Sequence, residues 1–263
     1  MIRVGIGGWT FAPWRGTFYP EGLPRKGELS HAAGRLSAIE INGTFYRTQS
    51  PASYAKWREE TPDGFVFALK GHRFVTNRKV LAEAGESVAH FVGSGIAELG
   101  PKLGPINWQL PPSKRFDPDD FGAFLALLPR EVAGFPLRHA VEVRHDSFRA
   151  PDVVALARRH GIAIVFAESD DYPAIPDATA DFVYARLQRS RAGEEAGYPA
   201  AELDRWAARA RDWSAGRSPA DLPTVLPADG SAGSAGTRDV FVFFISGAKV
   251  LNPLAAEALI GRL

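Results

Sequence analysis

Five short apolar stretches carry polar side chains at every second position, and that spacing puts chemistry inside whatever these stretches build. In Ile39-Glu40-Ile41-Asn42 the isoleucines share one face of an extended chain and Glu40 and Asn42 the other. Val141-Glu142-Val143-Arg144 repeats the pattern, Ile106-Asn107-Trp108-Gln109 pairs two amides, and Tyr184, Arg186 and Gln188 share a face in Val183–Gln188. Ala68 and Lys70 do so in Val66–Lys70. Strands of a parallel sheet covered on both sides normally run almost wholly apolar. Polar rows of this kind therefore point into an enclosed, polar interior.

Charges placed there must compensate one another, because a lone buried ion costs several kcal/mol. Glu40, Glu142, Lys70, Arg144 and Arg186 form such a set. The last residues of the inward rows, Asn42, Lys70, Gln109, Arg144 and Arg186, make a ring whose three cations suit a small anionic ligand, phosphorylated or carboxylated. Glu40 and Glu142, one layer down, read equally as proton-transfer groups and as counter-ions plugging the interior. Loops after the stretches add Tyr46, Arg73 and Asp170 as ligand contacts, and Gln188 at the end of its row is another. His145, next to Arg144, is the best general acid or base, since imidazole titrates near neutrality. The histidines His31, His90, His139 and His160 read as structural, in helix or surface settings. No H-x-H or H-E-x-x-H spacing supports a metal, and no G-x-S-x-G or phosphate-binding loop occurs, so neither metal nor cofactor is expected.

The elements that would position this ring alternate. Strand signals fall at Arg3–Gly7, Ala38–Asn42, Val66–Lys70, Ile106–Gln109, Ala140–Arg144, Ala163–Ala167, Phe182–Gln188 and Val240–Ile245. Helix signals between them include Ser50-Pro51 before Ala52–Glu60, Asp117-Pro118 before Asp119–Leu128 and Asn252-Pro253 before Leu254–Leu263. Pro151 opens a further helix, Asp152–His160, and Gly161 ends it. Alternation implies a parallel sheet with right-handed crossovers, and eight strands imply a closed α/β barrel, a (β/α)8 TIM-barrel-like domain whose ligand site sits at the carboxyl ends of its strands. A dinucleotide fold would need G-x-G-x-x-G after the first strand. Gly5, Gly7 and Gly8 lead instead into Trp9 and a long loop with Trp14, Phe18 and Tyr19. That loop reads as an aromatic lid over the mouth, with Trp9, Trp14 and Tyr19 as ligand contacts. Residues 214–238, ending in a Gly/Ser/Ala run, read as a flexible insertion before the last strand.

Composition narrows the classes. The 263 residues form one domain, 1–263, with 45% hydrophobic and 23% charged residues, which excludes global disorder. Thirty-one Lys and Arg against 30 Asp and Glu leave a net charge of +1, which argues against wholesale adhesion to nucleic acid or membrane. The absence of Cys excludes thiol nucleophiles and disulfides. No apolar run approaches membrane-spanning length and no signal peptide is evident, so a cytoplasmic location is expected.

The chain also resembles the YecE-like family, domain of unknown function 72. The matching segments include Trp14-Arg15-Gly16-Thr17-Phe18-Tyr19-Pro20, Glu40-Ile41-Asn42-Gly43-Thr44-Phe45-Tyr46-Arg47, Phe67-Ala68-Leu69-Lys70, Gln109-Leu110-Pro111-Pro112, Glu142-Val143-Arg144-His145 and Tyr184-Ala185-Arg186-Leu187. The resemblance implies a TIM-barrel-like fold and no assigned activity. The sequence departs from the family's usual pattern at Ile6, Asn77, Gln188 and Ile245. Three functions fit: an enzyme working by acid/base chemistry on a small anionic substrate; a nucleic-acid-associated protein in which Trp9, Trp14, Tyr19 and Tyr46 stack bases beside Arg15, Arg47 and Arg73; and a ligand-binding barrel without catalysis.

Overall fold

A computed structural model describes residues 1–227 and 236–263. Barrel strands β1 (Ile2–Gly7), β2 (Ala38–Ile41), β3 (Val66–Lys70) and β4 (Leu103–Gln109) are followed by a two-residue hairpin, β5 (Glu131–Val132) and β6 (Phe135–Pro136). The barrel continues with β7 (His139–Glu142), β8 (Ala163–Ile164), β9 (Phe166–Glu168), β10 (Phe182–Leu187) and β11 (Asp239–Phe244). The nine barrel strands form one sheet in the order β8-β7-β4-β3-β2-β1-β11-β10-β9, every pair parallel. Its two edges, β8 and β9, are halves of one run of chain broken only at Val165, whose N–H donates to Val141 O (2.9 Å). The sheet thus wraps into a nearly closed α/β barrel. Each of the eight strand segments read from the sequence has a counterpart in it, the sixth split in two, although β2, β7, β10 and β11 end one or two residues earlier than read.

Helices α1 (Glu28–Arg35), α2 (Gly43–Tyr46), α3 (Pro51–Glu59), α4 (Arg73–Thr76), α5 (Gly85–Val92), α6 (Pro118–Leu127), α7 (Pro151–His160), α8 (Ala200–Ser214) and α9 (Asn252–Ile260) fill the crossovers. Capping fixes several starts: Ser50 accepts from Ser53 N–H at α3, and Asp117 from Asp119 and Asp120 N–H at α6, each with Pro at the first turn. Asn252 does not cap α9 as its position before Pro253 suggested. It is buried, accepting from Ser190 Oγ and donating to Ser246 O.

The alternating strands sort as their residue types demand. Ile39, Ile41, Phe67, Leu69, Ile106, Trp108, Val141 and Leu187 join the core between sheet and helices, while Ala38, Val66, Ala68, Ala140, Val165, Phe182, Tyr184, Phe241 and Phe243 pack inside the barrel. That interior layer is apolar below and polar above, at the carboxyl ends.

Two expectations change here. The first loop packs as core instead of forming a lid: Trp14 is 1% exposed, its Nε1 donates to Lys249 O, and its ring meets Phe11, Phe18 and Tyr19. Rings that large lower the free energy more by burial than by waiting at a surface. The stretch anticipated as a flexible insertion at 214–238 is tied down over its first part. Leu222, Val225 and Leu226 pack on the core, and Asp177 accepts from the N–H groups of Val225 and Leu226. Most of the Gly230–Gly236 run lies outside the described residues.

Candidate functional site

The mouth is built from the inward residues of five strands. Glu40 of β2 and Glu142 of β7 are fully buried, and the guanidinium of Arg186 from β10 sits between them. Its Nη2 donates to Glu40 Oε1 at 3.0 Å, and its Nη1 pairs with Glu142 Oε2. Glu142 Oε1 is held by Arg144 through Nε (2.8 Å) and Nη2 (2.7 Å). Tyr184 OH donates to Glu40 Oε2 (2.5 Å), and Asn107 Nδ2 reaches both carboxylates at 3.4 and 3.3 Å. Gln109 Oε1 accepts from Arg144 Nη2 at 2.7 Å. All four carboxylate oxygens are therefore occupied.

This saturation gives both glutamates the partners that counter-ions have. Burial opposes the charge of Glu142, but Arg186, Arg144 and Lys70 together hold its carboxyl down at about 2. It stays ionised and is a poor proton donor at neutral pH. Burial likewise works against Arg186, yet Glu142 and Glu40 outweigh it and push its pKa above the ordinary guanidinium value. Glu40 and Glu142 have the geometry of counter-ions.

Lys70 is the exception. It is 8% exposed, and among the described residues its ammonium has neither a carboxylate within salt-bridge distance nor a hydrogen-bond acceptor. Thr44 Oγ1 fixes only its backbone, while Nζ lies 4.7 Å from the centre of the Phe45 ring. Burial first, then Arg186, pushes the Lys70 amine down to about 8, against the pull of Glu40 and Glu142. Local backbone explains its placement: a Cβ on Gly71 would come 2.2 Å from Trp108 Cε3, so only glycine lets the chain leave β3 over that indole. Asn42 finds room in the same way, since a Cβ on Gly7 would meet its Nδ2 at 2.8 Å.

Beside the ring, a cavity of about 680 Å³ opens at the ends of β9, β10 and β11, and its lining includes none of Lys70, Arg144 and Arg186. Gln188, two residues beyond Arg186, and Tyr172 belong to its lining, and Tyr172 also stacks 4.3 Å from the Arg144 guanidinium. Asp170, expected to touch ligand, stands at the rim paired with Arg189. Tyr172 lies in a loop expected at the mouth but is not singled out by sequence, because nothing in Ser169-Asp170-Asp171-Tyr172 distinguishes a stacking ring from a loop residue. Glu168 was missed too. Buried at the end of β9 and taking a hydrogen bond from Tyr198 OH (2.7 Å), it is pushed up to about 7 by burial, which outweighs that bond.

Other expected site residues lie elsewhere. Trp9 packs on Trp57 and Phe67 in the layer between sheet and helices, and Tyr19 is buried with its OH donating to Trp9 O. Neither reaches the ring. Tyr46, 63% exposed, forms a surface cluster with Arg73 and Phe74, and Tyr46 and Phe74 line a separate cavity of about 560 Å³. His145 caps a short turn, its Nδ1 accepting from Ser147 N–H at 3.1 Å. His139, expected in a helix or at the surface, is instead a buried β7 residue between Trp108 Nε1 and Pro129 O, and burial pulls it down to about 4. No three His, Asp or Glu side chains converge as metal ligands among the described residues.

The chain that folds into this barrel matches the model of a protein of unknown function, DUF72, over residues 3–263. The chain belongs to the DUF72 family. It is 30% identical over 155 residues to the UPF0759 protein YecE of Escherichia coli K12, covering 57% of this chain and 51% of that one. A second relative, the UPF0759 protein YunF of Bacillus subtilis, is 24% identical over 156 residues, 57% of this chain and 53% of that one. The match thus spans about half the length of these curated relatives. Among solved structures, a DUF72 family protein from Thermotoga maritima superposes with a TM-score of 0.71 at 23% identity, over 99% of this chain and 97% of that one. One from Enterococcus faecalis V583 gives 0.69 at 17% identity, over 100% and 94%. These likenesses concern the DUF72 fold, and no helix of the described residues is long and apolar enough to cross a membrane.

Proposed function

We propose that this DUF72 barrel is an enzyme acting on a small carboxylate-bearing substrate bound at the mouth, with Lys70 as the group that meets it. The single observation carrying this is the charge count of the ring. Arg144, Arg186 and Lys70 face Glu40 and Glu142, and the two guanidiniums take both carboxylates, leaving the Lys70 ammonium uncompensated. One unmatched, mostly buried cation favours one negative charge. It favours a monocarboxylate over a polyphosphate, whose further charges would have no partner. An amine near neutrality also exchanges its proton readily under physiological conditions, as acid/base chemistry needs. The outer cavity adds the neutral amide of Gln188, while its ions pair among themselves as Asp170–Arg189 and Glu202–Arg191, with Asp171 beside them.

The nucleic-acid reading keeps only one of its four stacking rings at the surface, Tyr46, because Trp14 and Tyr19 are core and Trp9 packs between sheet and helices. Calorimetric titration with lactate tests the proposal. Wild type should bind it, and Lys70→Gln should weaken binding by at least tenfold, about 1.4 kcal/mol. Equal affinity in both proteins would remove Lys70 from the site.

A further inference from the structure

Two lysines are almost completely enclosed, and they are enclosed differently. Lys102 donates from Nζ to Arg58 O (2.6 Å), Thr61 O (2.5 Å) and Thr61 Oγ1 (3.1 Å), so its three N–H bonds are spent and its charge is solvated by protein. Lys70 has no such acceptors among the described residues, only the Phe45 face and a surrounding set of charges. Those charges are the guanidiniums of Arg186 and Arg144, which repel a proton on its nitrogen, and the carboxylates of Glu40 and Glu142, already engaged by the guanidiniums. A structural lysine needs what Lys102 has. A nucleophilic one needs a desolvated amine beside other cations, which is what surrounds Lys70.

We propose that Lys70 condenses through its side-chain amine with the carbonyl carbon of a small oxo-carboxylate, forming an imine at the barrel mouth. This rests on the carboxylate reading above and deepens it. The nitrogen lone pair attacks the carbonyl carbon, and the C=O π electrons move to oxygen. A proton lost by nitrogen is delivered to that oxygen, giving a carbinolamine. The C–O bond then breaks as the nitrogen lone pair forms C=N, and the oxygen leaves as water with the second amine proton. Amine plus carbonyl gives imine plus water, with no oxidation or reduction.

The surroundings supply the accessory groups. Asn107 is the register partner of Lys70 across β3 and β4, fully buried and on the same inward face, and its Oδ1 has no hydrogen-bond partner among the described residues. It is the acceptor at hand for an amine N–H or the carbinolamine hydroxyl. Arg144 keeps one outer nitrogen, Nη1, bound only to Tyr172 OH at a long 3.3 Å, a contact that a substrate carboxylate replaces with a charged partner. An amine at about 8 has a substantial free fraction at neutral pH, whereas ordinary lysines have almost none.

The test is reductive trapping of the intact chain with pyruvate and cyanoborohydride at pH 7.5, followed by peptide mapping. Lys70 should carry the reduced pyruvate adduct at least ten times faster than exposed Lys26 or Lys56, and lactate, which has no carbonyl, should compete with the trapping. Lys70→Arg should lose the adduct while Lys26 and Lys56 react as before. Lactate binding that depends on Lys70, with no preferential adduct there, overturns the imine and leaves the carboxylate site standing. Absence of lactate binding together with absence of the adduct overturns both.

Discussion

The Arg186 guanidinium lies 3.0 Å from Glu40, a residue 146 positions away in the chain, and the same group pairs with Glu142. One side chain thereby joins β2, β7 and β10 across the barrel interior. That position makes it a structural keystone before it can be a ligand contact.

Arg186→Met should therefore destabilise the protein by about 3–5 kcal/mol, because two buried carboxylates lose their shared partner. Urea denaturation at pH 7 measures this through the midpoint at constant slope. A loss below about 1 kcal/mol, within the range of exposed ion pairs, would show that the ring is not holding the barrel.

Stability should also fall on the alkaline side because of Glu168. Its carboxyl sits at about 7 when folded, above the ordinary value, so the native state holds a proton that the unfolded chain releases earlier. That contribution is full below about pH 4.5 and is lost as pH rises toward 7. Glu168→Gln keeps an acceptor for Tyr198 and removes the ionisation. The variant should gain stability over wild type at pH 8 relative to pH 5, read from thermal midpoints. Parallel curves for the two proteins would contradict the burial argument.

The first loop gives the plainest mutational test of the fold. Trp14→Ala should cost about 3–5 kcal/mol, as for other large buried aromatics. It also strands Lys249 O, which loses its indole donor. A lid residue would unfold nothing on truncation, so a change under about 1 kcal/mol would return the loop to a gating role.

Much of this was legible in the sequence, for reasons that particular residues show. The Ile39/Ile41 and Val141/Val143 alternation is a local, period-two signal, so it located strands and placed Glu40 and Glu142 inside. Pro-led caps such as Asp117-Pro118 are equally local. Pairings across the barrel are not. Nothing near Arg186 says that it takes Glu40 and Glu142 together while Lys70 is left over, since that depends on which rows meet at the same height. The aromatic loop failed for a related reason: Trp14 and Tyr19 have the same composition whether they close over a pocket or pack beneath α1, and only tertiary contacts with Lys249 and His31 decide. Glu168 lies on the outward row of β9, where an apolar residue is the usual occupant, and its partner Tyr198 is 30 residues away.

The central claim is that an uncompensated Lys70 ammonium holds a carboxylate, and the pH dependence of lactate affinity tests it most directly. Lactate keeps its single charge from pH 6 to 10, and the amine sits at about 8. The calorimetric affinity of wild type should be flat at low pH and begin to fall near pH 8, approaching about tenfold per unit beyond it as the cation is lost. Lys70→Arg, charged throughout, should bind without that fall. An affinity in wild type that ignores pH across this range, or a fall that persists unchanged in Lys70→Arg, would contradict the account.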